Sequence, residues 1–175
     1  MLVQRLAIIG CCTAAGAGWL AVRGPLPIIR FTTVMAEPVP LWYSLSAFPV
    51  LGMLLADWSS LLKCAGLRLR TIELGVQIAL ILLLANLRLG VQVPLSGHVI
   101  LFSYFLARRL LVGVLDDPIR HLEWAAAAAV LIIAGYVKLM WWSDPLTLLF
   151  GAVGGTGLAG VSWWLVNAHI EAMYG

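Results

Sequence analysis

Ser96, Gly97 and His98 follow Pro94 and Leu95 at the start of an apolar run that continues through Phe102 and Phe105 to Arg108 and Arg109. A hydroxyl, a glycine and an imidazole thus stand together in the first turn of a predicted helix. Helix starts carry unpaired N–H groups and a partial positive charge, so they attract anions. Proline suits the beginning of such a helix because its missing N–H is not needed there. Arg88 lies one short loop upstream, and Arg23, Arg30 and Lys138 are expected at the same end of the molecule. Guanidinium groups, an imidazole and a helix start are what an oxyanion such as phosphate needs. The candidate binding residues are therefore Arg88, Ser96, Gly97, His98 and Lys138, with an anionic small molecule or a lipid headgroup as ligand. The plain alternative is structural: Ser96 caps the helix and His98 bonds a neighbouring carbonyl.

Ser96-Gly97-His98 resembles the Ser-Gly-His core of the type 2 phosphatidic acid phosphatase family, whose histidine acts as a general acid at a membrane surface. The resemblance implies an acid-base role for His98 on a lipid phosphate. It covers these three residues alone, and Leu95 displaces Pro94 by one position. The family's Lys…Arg-Pro and Ser-Arg…His…Asp elements have no counterpart, because the chain contains no Arg-Pro or Ser-Arg pair. A phosphohistidine route needs a nucleophile. The downstream histidines, His121 and His169, are expected at the opposite membrane face.

That opposite face collects Asp116, Asp117, His121, Glu123, His169 and Glu171. The pairs His121/Glu123 and His169/Glu171 are weak metal candidates, since imidazole with carboxylate suits zinc, iron or manganese. Residues two apart do not share a helix face, however. Solvated loop charges are the expected state there, and no metal or cofactor is expected.

The elements that must position these residues are membrane spans. The chain has 175 residues, 62% hydrophobic and 11% charged, with a mean hydropathy of +1.00. Soluble domains lie at roughly 45–50% apolar and about 25% charged. The expected fold is all-α, a single transmembrane domain over 1–175 made of about six spans of roughly 20 residues. The spans fall near 6–22, 41–62, 71–89, 95–114, 124–142 and 146–166. Residues 1–23 also carry a signal-peptide-like pattern, but they are read as a retained first span. Pro25, Pro27, Pro38 and Pro40 make the stretch after it a loop. Trp42, Tyr43, Trp58, Trp124 and Trp142 suit the headgroup level.

Six spans put both termini on one side. Seven basic residues (Arg5, Lys63, Arg68, Arg70, Arg108, Arg109, Arg120) fall on that side, against four (Arg23, Arg30, Arg88, Lys138) on the other. The positive-inside rule then makes both termini cytoplasmic, in a bacterial or archaeal inner membrane. Basic residues never run beyond two in a row, so nucleic acid is not an expected partner. Cys11, Cys12 and Cys64 lack disulfide or zinc spacing.

Charges within spans are functional candidates by default, yet most here lie shallow. Asp57 and Glu73 fall near the cytoplasmic interface, as do Arg108 and Arg109, and interfacial anchoring or pairing is expected of each. Gln77 lies one turn deeper and suits a hydrogen bond between helices. In the last span, Gly151-x-x-x-Gly155 forms a small-residue face for close helix contact. Local unwinding at Gly154–Gly157, as in transporters, is the alternative.

Three functions follow. The first is a transport or solute-binding component with an outward-facing anion or headgroup site at the start of the fourth span. The second is a non-catalytic subunit of a larger membrane complex or homo-oligomer, in contact with membrane lipids. The third is an embedded enzyme acting on lipid phosphates, with His98 as acid-base group and Arg88 as phosphate clamp. Scarce deep charge argues against an ion pump.

Overall fold

Leucine, alanine, valine and isoleucine dominate the segments between prolines, and the described residues are helical apart from Ser46 and Ser96. The structure is a computed structural model describing residues 2–23, 45–61, 75, 77, 96–111, 118–141 and 145–174. The side chains of residues 23, 58–61, 140–141, 166 and 169–174 lie outside that description. Five helices result: α1 (Leu2–Arg23), α2 (Ala47–Leu61), α3 (Gly97–Leu111), α4 (Pro118–Trp141) and α5 (Pro145–Tyr174). No strand occurs among the described residues. Pro49, Pro118 and Pro145 all fall in the first turn of their helices, where a missing N–H costs no intrahelical bond.

Among the described residues, three helical stretches, Leu2–Val22, Pro118–Leu139 and Pro145–Leu165, are long and apolar enough to cross a membrane. The apolar part of α2, Ala47–Asp57, is shorter. Large apolar side chains face outward along the long helices. Val3, Val22, Ile132, Val153 and Trp164 are each more than half exposed. Surface of this kind loses stabilisation in water, in proportion to its area, and none in hydrocarbon. The helices are consistent with an integral membrane protein.

Helix directions follow from the contacts. Residue 5 meets 57, and Trp19 meets Phe48 at 6.4 Å between ring centroids, so α1 and α2 are antiparallel. Arg109 meets Glu123 while Ser96 meets Lys138, so α3 and α4 are antiparallel as well. Gly151 approaches Ser96 and Val99, whereas Gly155 approaches Ile100 and Tyr104, so α5 runs parallel to α3. A small apolar core of Val50, Phe102, Phe105 and Ala127 joins α2, α3 and α4, with Met53, Leu54, Leu106 and Val130 packed against it.

Several boundaries differ from those expected. α4 begins at Pro118 and not at Trp124, so Arg120, His121 and Glu123 are helical and do not form a polar loop. α5 continues to Tyr174, making the expected tail with His169 and Glu171 part of the helix. No glycine or proline interrupts residues 161–174, and alanine and glutamate favour continuation. At 30 residues, α5 is about 45 Å long, more than the roughly 30 Å hydrocarbon core. α1 starts at Leu2, ahead of the expected Leu6. The expected third span lies outside the described residues except for Gly75 and Gln77, both helical.

Candidate functional site

Ser96 stands immediately before α3, and its carbonyl accepts from the Ile100 amide at 2.9 Å. That bond is the first of the helix and makes Ser96 its N-terminal cap residue. Its hydroxyl accepts from the Lys138 ammonium at 2.6 Å. Lys138 occupies the last turn of α4, where the helix dipole favours a cation. The same ammonium therefore sits at the negative end of α4 and the positive end of α3. Ser96 is only 2% exposed because α5 closes over it. A Cβ at Gly151 would come within 3.3 Å of the Ser96 carbonyl and 3.0 Å of Val99 Cβ, so glycine permits the approach.

Of the residues proposed from sequence, Ser96 and Lys138 are thus in direct contact. Gly97 is exposed and His98 half-buried, both in the first turn of α3. Arg88 lies outside the described residues. The weak metal candidates diverge in their surroundings: His121 is exposed, while Glu123 is largely buried between two arginines. The side chains of His169 and Glu171 lie outside the described residues. Among the described residues, no group of three or more His, Cys, Asp or Glu side chains is placed to hold a metal ion. Cys11 and Cys12 are free thiols on α1.

The far end of α3 carries a second constellation. Arg109 is 1% exposed, with its Nε 3.0 Å from Asp57 Oδ2 and its Nη2 2.6 Å from Glu123 Oε2. Its Nη1 donates to the Arg120 carbonyl at 2.9 Å, and its guanidinium carbon lies 4.3 Å from the centre of the Phe105 ring. Arg5 reaches the same two carboxylates. Its Nη1 lies 2.8 Å from Asp57 Oδ1, its Nε lies 2.7 Å from Glu123 Oε1, and its Nη2 donates to Glu123 Oε2. Two cations and two carboxylates therefore balance within one buried cluster. Such charges are costly to bury singly, and pairing with hydrogen bonds at every position offsets that cost.

Sequence reasoning placed Arg5, Asp57 and Arg109 at one interface and Glu123 in a loop beside it, without joining the four. The sequence puts seven basic residues on that side, so residue type and depth alone do not select these four. A hydrogen bond from Trp124 Nε1 to the Leu106 carbonyl, 3.1 Å long, fastens α4 to α3 just above the cluster. Trp124→Phe removes this donor and is expected to lower stability by about 1 kcal/mol. Chemical denaturation in detergent micelles checks the loss.

Among the described residues, these features define a helical protein with three candidate membrane spans, a Lys–Ser contact at one end and a four-charge cluster at the other. Compared with protein-family models, curated proteins and solved structures, the chain matches none.

Proposed function

We propose that the protein is a small polytopic membrane component that binds or transports an anionic solute or lipid headgroup at the start of α3. The observation carrying this reading is the Lys138 ammonium held 2.6 Å from Ser96 across 42 residues of sequence. A fixed positive charge beside a helix start is the minimal chemistry for holding an oxyanion. Gly97 and His98 follow in the same turn, and Arg88 is proposed to complete the site.

The proposed topology is six spans with both ends cytoplasmic, in a bacterial or archaeal inner membrane. Helix directions support the count: α2 ends where α3 also ends, so α3 must start at the opposite end of the bundle. A further crossing near 71–89 satisfies that requirement. The basic-residue distribution supports the sidedness.

Binding of inorganic phosphate and of phosphatidic acid to the purified chain in nanodiscs tests the site. Replacing Lys138 by methionine keeps the side-chain length but removes the charge. A charge-assisted hydrogen bond is worth about 1.5–3 kcal/mol, so Lys138→Met should weaken binding by roughly 10- to 100-fold. His98→Ala is expected to weaken it as well, and lipids copurifying with native protein would be identified by mass spectrometry. Saturation with free phosphate identifies a solute site, whereas retention of the phospholipid alone identifies a headgroup site. If native protein binds neither, the reading fails and a non-catalytic subunit of a larger complex takes its place.

A further inference from the structure

Among the described residues, α1 packs closely on α2 and α3 on α5, and side-chain bonds attach α4 to α3, which gives two groups. α1 and α2 form the first, with Gly16 against Phe48 and Gly52 against Ile9 and Cys12. α3, α4 and α5 form the second, joined by the Gly151 and Gly155 approaches and by the Trp124–Leu106 and Lys138–Ser96 bonds. The groups meet where Val50, Met53 and Leu54 of α2 pack with Phe102 and Phe105.

The four charges of the Arg5–Asp57–Arg109–Glu123 cluster are distributed across this division symmetrically. Arg5 and Asp57 belong to the first group and touch each other at 2.8 Å. Arg109 and Glu123 belong to the second and touch at 2.6 Å. Two more pairs cross between the groups: Arg5 with Glu123, and Arg109 with Asp57 at 3.0 Å. Each group's share of the cluster is therefore neutral by itself. When the crossing pairs part, every arginine still keeps a carboxylate and every carboxylate an arginine. A buried ion pair is costly to break chiefly when it leaves a charge uncompensated, and this layout avoids that outcome.

The rest of the boundary suits movement. The contact of Val50 with the phenylalanines is apolar and non-directional. Val50 stands seven residues before Asp57, about 10 Å away along α2. It can act as a pivot while the charged end opens.

We propose that Arg5–Glu123 and Arg109–Asp57 form an exchangeable latch between α1–α2 and α3–α4–α5, closed in this structure and opened by rocking about the Val50 contact. The same four charges have two fully paired arrangements, which is the property of a bistable element. The latch lies at the end opposite Ser96 and Lys138. It stands without the solute site, because it rests on packing and charge placement alone.

The test measures distance across the latch. In the full chain, Cys11, Cys12 and Cys64 are replaced by serine, and spin labels are attached through Val3→Cys and Trp164→Cys. Both positions are exposed and belong to different groups. Double electron–electron resonance in phosphatidylcholine nanodiscs then reads the distribution. Arg5→Glu with Asp57→Arg inverts the first group's pair, so each group stays internally paired while like charges face each other across the boundary. The main population should shift to longer distance. Adding Arg109→Glu and Glu123→Arg restores opposite charges across the boundary and should restore the native distribution.

Native distances in the double variant, or long distances that the fourfold variant leaves unchanged, overturn the latch. Should the double variant fail to fold, as judged by size exclusion and helicity, Glu123→Gln in the labelled background decides. A broader or longer distribution supports the latch, and a native one overturns it. No anion enters the measurement, so its failure is distinct from failure of the binding site.

Discussion

Replacing Arg109 by leucine should lower the stability of the folded chain by about 3–5 kcal/mol, the cost of removing one partner from a buried ion cluster. The side chain is 1% exposed and bonded to Asp57, Glu123 and the Arg120 carbonyl. Without it, two largely buried carboxylates share Arg5 alone and the cluster carries a net negative charge. Leucine restores much of the apolar volume against Phe105, so the loss reports charge more than cavity. Arg109→Lys separates charge from geometry. It keeps the cation but cannot present the planar fork that spans two carboxylates, and an intermediate loss is expected. Thermal or urea unfolding in micelles reads both variants. A loss below about 1 kcal/mol for Arg109→Leu, the scale of a solvated surface pair, would mean that water reaches the cluster and supplies the missing charge compensation.

The same residues show where sequence reasoning reached and where it stopped. Apolar runs bounded by proline announce helices directly, because helix formation needs only local signals. Pro118 and Pro145 mark helix starts for that reason, although the apolar run alone points to Trp124 as the start of α4. The polar run Arg120–Glu123 resembled a loop because charged residues ordinarily seek water. It is helical because Arg5 and Arg109 provide for Glu123 what water would otherwise provide. Those partners lie 118 and 14 residues away in the chain, and no local pattern encodes the first. Depth along each helix was legible, since Arg5, Asp57 and Arg109 all fall near span ends. Rotation about each helix axis was not, and rotation decides which charges meet.

The contact between Ser96 and Lys138 illustrates the same division. Their common end of the bundle follows from counting spans, whereas direct contact also depends on the register between α3 and α4. That register is set by side chains at the cluster end of the pair: Trp124 bonding Leu106, and Arg109 meeting Glu123. The cluster at one end therefore helps to determine the geometry of the candidate site at the other. A variant that shifts α4 along α3 should disturb Lys138 without touching it.

Gly155→Ala should destabilise the protein by about 1–3 kcal/mol, the usual cost of overpacking a tight interface. The adjacent Gly154→Ala should leave stability unchanged or slightly raised. The two substitutions are chemically identical and one position apart, so helix propensity predicts the same modest gain for both. Their surroundings differ. A Cβ at Gly155 would fall on the Ile100 carbonyl oxygen, with Ser103 Cβ at 2.9 Å and the Tyr104 amide nitrogen at 3.0 Å. Two of these atoms belong to the backbone of α3 and cannot turn aside, so α3 and α5 must separate. A Cβ at Gly154 meets nothing within 4 Å. Unfolding midpoints of the pair, measured side by side, read the difference. Equal effects would mean that the two helices are not held as closely as Gly151 and Gly155 allow. A large gap would tie the burial of Ser96 to the same seam, since the α5 backbone at Gly151 covers its carbonyl. Gly155→Ala should then also weaken anion binding, through displacement of Ser96 and not through loss of any group that touches the ligand.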